Sequence, residues 1–400
     1  MKSIVLFVVF PIFGLLQSGC SPNPQKSPTD RNQAMPSAAE PTSNTAQLTS
    51  KVSSTGKNSY SPTAASDVNL TDEELLRIRG MHARAAIALH YSGNDWSNAQ
   101  VEGLKTQFQE MGIAVIAVTD SGFKPEKQVS DLETVLAKKP NIIVSIPTDP
   151  VATAGIYKKI AESGVKLVFM DNVPQGLIPR KDYVSVVSAD NFGNGAAAAA
   201  LMAGALGGRG NIGIIYNIGI IAADFPVTRE RYDGFKKTIT NRFPQIHIIA
   251  EQGIGGPDFS ADAERVASSM ITSHRDINGI WAVWDVPAEG VIAAARTLGR
   301  EKLVITTCDL GENVALDMAR GGFIKGIGAQ RPFDQGVTEA LLAGYALLGK
   351  VAPVYVVLPA MPVTSDNLLE AWRLVYHKDA PANLRNILRV AARTRRGESQ

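Results

Sequence analysis

The chain has 400 residues, 45% of them hydrophobic, enough for the cores of two α/β lobes of ordinary size. Its formal charge is +2, so nothing in the balance argues for nucleic acid, whose binders carry a clustered basic face.

Lys2 opens a positive N-terminal region, and residues 4–16 form an apolar run broken only by Pro11 and Gly14. That run is shorter than the roughly 18 residues a membrane-spanning helix needs, and it has the layout of a secretory signal over residues 1–20. The ending Leu16-Gln17-Ser18-Gly19-Cys20 resembles a bacterial lipobox, with Gln17 where an aliphatic residue is usual. Cys20 is therefore expected to be lipidated and to anchor the exported protein to a membrane. Cys308 is then the one remaining thiol, and no internal disulfide can form.

Residues 21–68 are rich in Ser, Thr, Pro, Asn and Ala, with Tyr60 as the sole aromatic. Such a composition buries too little apolar surface to offset the entropy of ordering and reads as a disordered tether. Thr71-Asp72-Glu73-Glu74 is a capping box that opens a short helix.

From residue 84 onward, apolar runs alternate with helical patterns. Strands are expected over residues 85–90, 113–118, 142–146, 165–170 and 183–188, with helices near 97–111, 125–138 and 150–163. The alternation resumes with strands near 212–216, 246–251, 279–284, 303–307 and 323–327. Helices near 225–240, 260–273, 288–297 and 312–320 separate them. Short buried strands separated by helices mean parallel sheets, so the fold class is α/β with two similar doubly wound lobes. The closing residues 386–400 carry Arg389, Arg393, Arg395 and Arg396 and read as a solvated basic tail.

Gly208-Arg209-Gly210-Asn211-Ile212-Gly213 matches the dinucleotide fingerprint literally but leads from a helix into a strand. That order reverses the one a nucleotide site requires. The five histidines have no metal-ligand spacing, and Cys308 has no histidine placed beside it. No catalytic set, metal or cofactor is expected.

Polar and aromatic residues recur where strands end: Asp95 and Trp96, Asp171 and Asn172, Arg231, Phe259, Trp284 and Asp285, Asp309 and Gln330. Open α/β sheets bind ligands at the carboxyl ends of their strands. Flat rings that cover C–H surface, beside Asp, Asn, Arg and Gln that bond hydroxyls, suit a sugar.

These residues also carry a family resemblance. Asn94-Asp95-Trp96-Ser97, Pro147-Thr148-Asp149, Ser188-Ala189-Asp190-Asn191 and Arg229-Glu230-Arg231-Tyr232-Asp233-Gly234-Phe235 occur in order over residues 83–363. The chain so resembles type I periplasmic binding proteins of the ribose-binding-like, sugar-transport group. The resemblance implies lobes of residues 69–190 with 330–360 and 191–329 with 361–385, joined by three crossings. It implies a cleft holding Trp96, Asp171, Arg231, Asp309 and Gln330, and as partners an ABC-transporter permease and its ATPase, served by a monomer. Delivery of ligand to a membrane receptor is the alternative role, and an exported α/β hydrolase is a further one. Asp95 stands in place of a proline, Asn172 of an arginine and Trp284 of a smaller polar residue. The cleft is thereby more acidic, which favours a neutral sugar or polyol over an anion.

Overall fold

The computed structural model describes residues 60–219 and 226–395, and the signal segment, Cys20 and most of the expected tether lie outside them. Two sheets organise the chain. The first is parallel throughout and has seven strands in the order β1-β12-β6-β5-β4-β2-β3. Its strands are β1 (Thr63–Ala64), β2 (Arg84–Leu89), β3 (Ala114–Asp120), β4 (Ile142–Ser145), β5 (Lys166–Met170), β6 (Ser185–Ala189) and β12 (Tyr355–Leu358). The second runs β13-β11-β10-β9-β7-β8. It comprises β7 (Gly210–Asn217), β8 (Ile246–Ile254), β9 (Ile277–Ala282), β10 (Val304–Cys308), β11 (Ile324–Ala329) and β13 (Met361–Val363), the last antiparallel to β11.

Helices α1 (Asp72–Gly80), α2 (Asp95–Glu110), α3 (Pro125–Ala137), α4 (Ala154–Glu162) and α10 (Pro332–Leu348) belong to the first lobe. The second lobe holds α5 (Asn191–Ala205), α6 (Pro226–Arg242), α7 (Phe259–Ser273), α8 (Asp285–Thr297), α9 (Glu312–Ala319), α11 (Leu368–Tyr376) and α12 (Ala382–Arg395). The chain passes between sheets three times: after β6, after β11, and between β12 and β13.

A strand covered on both faces sends alternate side chains to opposite cores. On β2, Ala85, Ile87 and Leu89 enter one apolar cluster while Ala86 and Ala88 enter the other. The same division separates Ile142 and Val144 from Ile143 on β4. Each such strand is therefore an uninterrupted apolar run.

The ends of the chain correct two expectations. The first lobe includes residues before 69: Thr63 and Ala64 pair with Val356 and Val357, and Val68 is buried. At the other end, residues 386–395 of the basic segment belong to helix α12, which buries Leu384 and packs Ile387 and Leu388 on the second core, and residues 396–400 lie outside the described residues. The capping box is formed in full, with Glu74 N–H donating to Thr71 Oγ1 and Thr71 N–H to Glu74 Oε2.

Candidate ligand-binding cleft

The carboxyl ends of both sheets face a cavity of about 370 Å³ with walls from both lobes, within the roughly 300–1,000 Å³ range of small-molecule sites. Asn94 ends the loop after β2 and caps α2, its Oδ1 accepting from Ser97 N–H at 2.9 Å. This fixes the helix start, so Trp96 in the first turn lines the cavity. Asp171 follows β5 and Asp309 follows β10, both with positive φ (54° and 66°). Holding a non-glycine residue there costs on the order of 1–3 kcal/mol and persists only where neighbours over-determine it.

Those neighbours form one network. Arg231 Nη1 donates to Asp309 Oδ2 at 2.9 Å and Nη2 to Oδ1 at 3.3 Å. Gln330 Nε2 donates to Asp309 Oδ1 at 2.6 Å. Arg231 Nε reaches Asn191 Oδ1 at 3.1 Å, Asn191 Nδ2 reaches Ser188 Oγ at 3.0 Å, and Ser188 Oγ donates to Asp171 Oδ1 at 2.7 Å. Gln335 Nε2 also donates to Asp171 Oδ1, at 3.2 Å. The chain of bonds runs from one lobe to the other through two of the passages between sheets.

Close helix packing sets the position of Arg231. A Cβ on Gly195 of α5 would collide with the Arg231 carbonyl, and one on Gly234 of α6 with that of Phe192. Glycine at both positions lets α6 lie directly against α5, with the Arg231 guanidinium buried beneath the cavity.

Charge in the site is uneven. Burial opposes the charge on Arg231, but Asp309 beside it holds the guanidinium above its ordinary pKa. Burial lifts the Asp171 carboxyl to about 6, and bonds from Ser188 and the charge of Arg231 limit the rise. Burial also lowers His90 to about 4, so its ring is neutral at physiological pH.

Of the residues expected at the site, Trp96, Asp171, Asn172, Arg231, Phe259, Trp284, Asp309 and Gln330 line the cavity. Asp95 and Asp285 do not. Asp95 Oδ2 accepts from Glu312 N–H at 2.7 Å, which joins α2 of one lobe to the start of α9 in the other. Asp285 is buried behind the cavity, accepts from Val286 N–H and packs against Gly311. Burial first, then the charge of Asp309, pushes its carboxyl well above the usual range.

The cavity also has lining that strand-end reading passed over: His90, Tyr91, Phe123, Thr148 and Thr228. Phe123 sits at φ 59° in the turn after β3, stacked on Tyr91 with centroids 4.8 Å apart. It meets Phe259 of the other lobe edge-on at 5.7 Å, and Phe259 meets Trp284 at 4.9 Å. The signal for Thr228 was its place three residues before Arg231, on the same helix face. Five lining residues carry a buried polar atom with no partner among the described residues: His90 Nδ1, Trp96 Nε1, Asn172 Oδ1, Thr228 Oγ1 and Gln330 Oε1. Buried polar groups are ordinarily bonded, so such a concentration marks a surface that a polar ligand would complete.

Residues 85–350 match the family described as periplasmic binding protein domain. The ribose import binding protein of Bacillus subtilis is 27% identical over 210 residues, a stretch that is 51% of this chain and 62% of that protein. The ribose import binding protein of Salmonella typhimurium is 23% identical over 275 residues, 67% of this chain and 86% of that one. Among solved structures, a carbohydrate transporter solute binding protein from Agrobacterium radiobacter, in complex with D-arabinose, superposes with a TM-score of 0.65 at 21% identity. That likeness, one of fold, covers 74% of this chain and 99% of the other. With two doubly wound lobes around a cleft and a family match over most of the described residues, the protein belongs to the periplasmic binding protein domain family.

Proposed function

We propose that the protein is an exported solute-binding component of an ABC importer that closes on a small neutral sugar or polyol. The carrying observation is the cavity, where rings and hydrogen-bonding groups from both lobes share one space. Trp96, Phe259 and Trp284 supply flat apolar faces, and Asp171, Asn172, Asp309, Arg231 and Gln330 supply directional bonds to hydroxyls.

Charge favours a neutral ligand. Among the described residues Arg231 is the one cationic side chain that lines the cavity, and Asp309 already pairs it. Asp171 and Asp149 add carboxylates, so an anionic ligand would meet unfavourable Coulomb energy. A ligand touching both lobes binds the closed form better than the open one and shifts the population toward it. The closed surface would then be what a permease recognises, the protein acting as a monomer without catalysis. Acylation at Cys20 would hold it near that permease and raise its effective concentration. Cys20→Ser should then move the protein from membranes to a soluble exported fraction.

A thermal-shift screen of the full-length chain tests the ligand class. Neutral sugars or polyols should raise the melting temperature in a concentration-dependent way. A response confined to sugar acids or amino acids would refute the assignment.

A further inference from the structure

Beside the first cavity lies a second, of about 590 Å³, on the other side of Asp171 and Asn172. Both cavities are lined by Asp171, Asn172 and Val227, so these residues form the sill between two adjoining spaces rather than the end wall of one. The first space alone is in the size range of a small-molecule site, so one sugar ring does not require the second.

The second cavity is built from both lobes. Val151, Val173 and Tyr355 come from the first and Pro226, Val227 and Glu230 from the second. Ser188 and Asn191 line it as well, and they are the links that join Arg231 to Asp171 in the bonded network. One network thus underlies both spaces.

Its chemistry repeats that of the first cavity without the cation. Amide and hydroxyl groups of Asn172, Gln175, Ser188 and Tyr355 stand among valines and prolines. Burial, then the charge of Glu230, raises the Tyr355 hydroxyl above its ordinary pKa, so it remains a donor. Its ionisable lining is Asp171 and Glu230 with the three phenols Tyr60, Tyr183 and Tyr355, and no Lys or Arg lines it among the described residues. A phosphate or uronate is disfavoured there. Apolar strips between hydroxyl-bonding groups fit the alternating C–H and O–H surface of a neutral sugar ring.

We propose that the second cavity is a subsite for a second neutral glycosyl unit, so that the cleft takes a disaccharide or similar glycoside bridging over Asp171 and Asn172. The proposal rests on the reading of the first cavity as a sugar site and extends it to a ligand of two units.

Calorimetric titration of the full-length chain with parent and disaccharide pairs tests it: D-glucose with cellobiose, D-galactose with lactose, D-xylose with xylobiose, and L-arabinose with arabinobiose. At least one disaccharide should bind tenfold or more tightly than its parent. Val151→Trp and Gln175→Trp, both exposed positions on the second cavity, should abolish that gain while the parent binds within twofold of wild type. If parents bind and no disaccharide exceeds them, the two-unit proposal fails and the sugar reading stands. A gain that survives both tryptophans also overturns the proposal, because the second ring then lies elsewhere. No binding in either series defeats both readings.

Discussion

Arg231 and Asp309 form a two-pronged ion pair, Nη1 to Oδ2 at 2.9 Å and Nη2 to Oδ1 at 3.3 Å, with both side chains almost wholly buried. The planar guanidinium matches the carboxylate fork, and Gln330 and Asn191 satisfy further sites on each partner. Two elements distant in sequence are thereby locked at the floor of the cleft. Substituting either residue should therefore have two effects.

Arg231→Ala and Asp309→Ala should each weaken ligand binding about ten- to hundredfold, as expected when a charge-assisted bond worth roughly 1.5–3 kcal/mol is removed. Each should also destabilise the fold by about 3–5 kcal/mol, because the remaining charge is left buried and unpaired. Calorimetry and denaturant unfolding separate the two effects. Cys308→Ala is the contrast. Cys308 is fully buried in the cluster that contains Trp281, and burial pushes its thiol up to about 12. That change should lower stability and leave affinity alone. Wild-type affinity in folded variants at both 231 and 309 would show the site to be misplaced.

Trp96 lies at the border of the cavity and the first core, with its ring edge-on to His90 at 6.3 Å. Truncation therefore removes both a ligand wall and core volume. Trp96→Ala should cost about 3–5 kcal/mol of stability and at least tenfold in affinity. Trp96→Phe keeps a flat face and should retain most of both. Equal losses for the two variants, by calorimetry and unfolding, would mean that the indole N–H and not the ring surface is what matters.

The inner strands were legible because they are buried on both faces and read as apolar runs, as with Ile142 to Val144, whereas the edge strands β3 and β8 are largely half-buried or exposed. Eight of the ten expected site residues do line the cavity, and they were legible by their place near the ends of those runs. Position after a strand does not say where a side chain points, and there the rule failed. Asp95 and Asp285 both occupy the first position of a helix, and Asp95 spends its carboxylate on another helix's N-terminus. Strand β1 left no trace, since two residues carry no periodicity and pairing with β12 alone creates it. Helix α12 did leave one: Leu384, Ile387 and Leu388 repeat at helical spacing, but the arginines between them drew the reading toward a tail.

The N-terminal boundary can be tested by truncation. A chain beginning at Ser61 keeps the pairing of Thr63 and Ala64 with β12 and the burial of Val68. One beginning at Asn69 loses both and exposes the edge of the first sheet. The shorter chain should be less stable by about 1–3 kcal/mol, the scale of one buried valine and a pair of ladder bonds. Affinity for a ligand of the 370 Å³ cavity should be equal, because none of residues 61–68 lines it. Identical unfolding midpoints would show that β1 adds nothing to the sheet.

The pH response of binding follows from Asp171. Burial raises its carboxyl to about 6 from an ordinary 3.8, and Ser188, Arg231 and Gln335 only partly reverse this. Between about pH 4 and 6 the folded protein retains a proton that the unfolded chain has released. The ligand-free protein therefore loses stability as pH rises through that window. Binding has the opposite sign. A sugar hydroxyl donates more strongly to the carboxylate than to the neutral acid, so binding favours loss of the proton. The apparent Kd should rise between pH 7 and pH 5, by up to roughly tenfold, since one unit below the pKa about a tenth of the protein carries the carboxylate. His90, already neutral down to about 4, should not contribute. Asp171→Asn should bind more weakly at pH 7 but with a flat profile between pH 5 and 7. Calorimetry at matched ionic strength, in buffers of differing ionisation enthalpy, gives both the affinity and the protons released. If wild type showed no pH dependence and released no proton at pH 5.5, Asp171 would not be accepting a ligand hydroxyl, and that bond would have to come from Asp309 or Asn172.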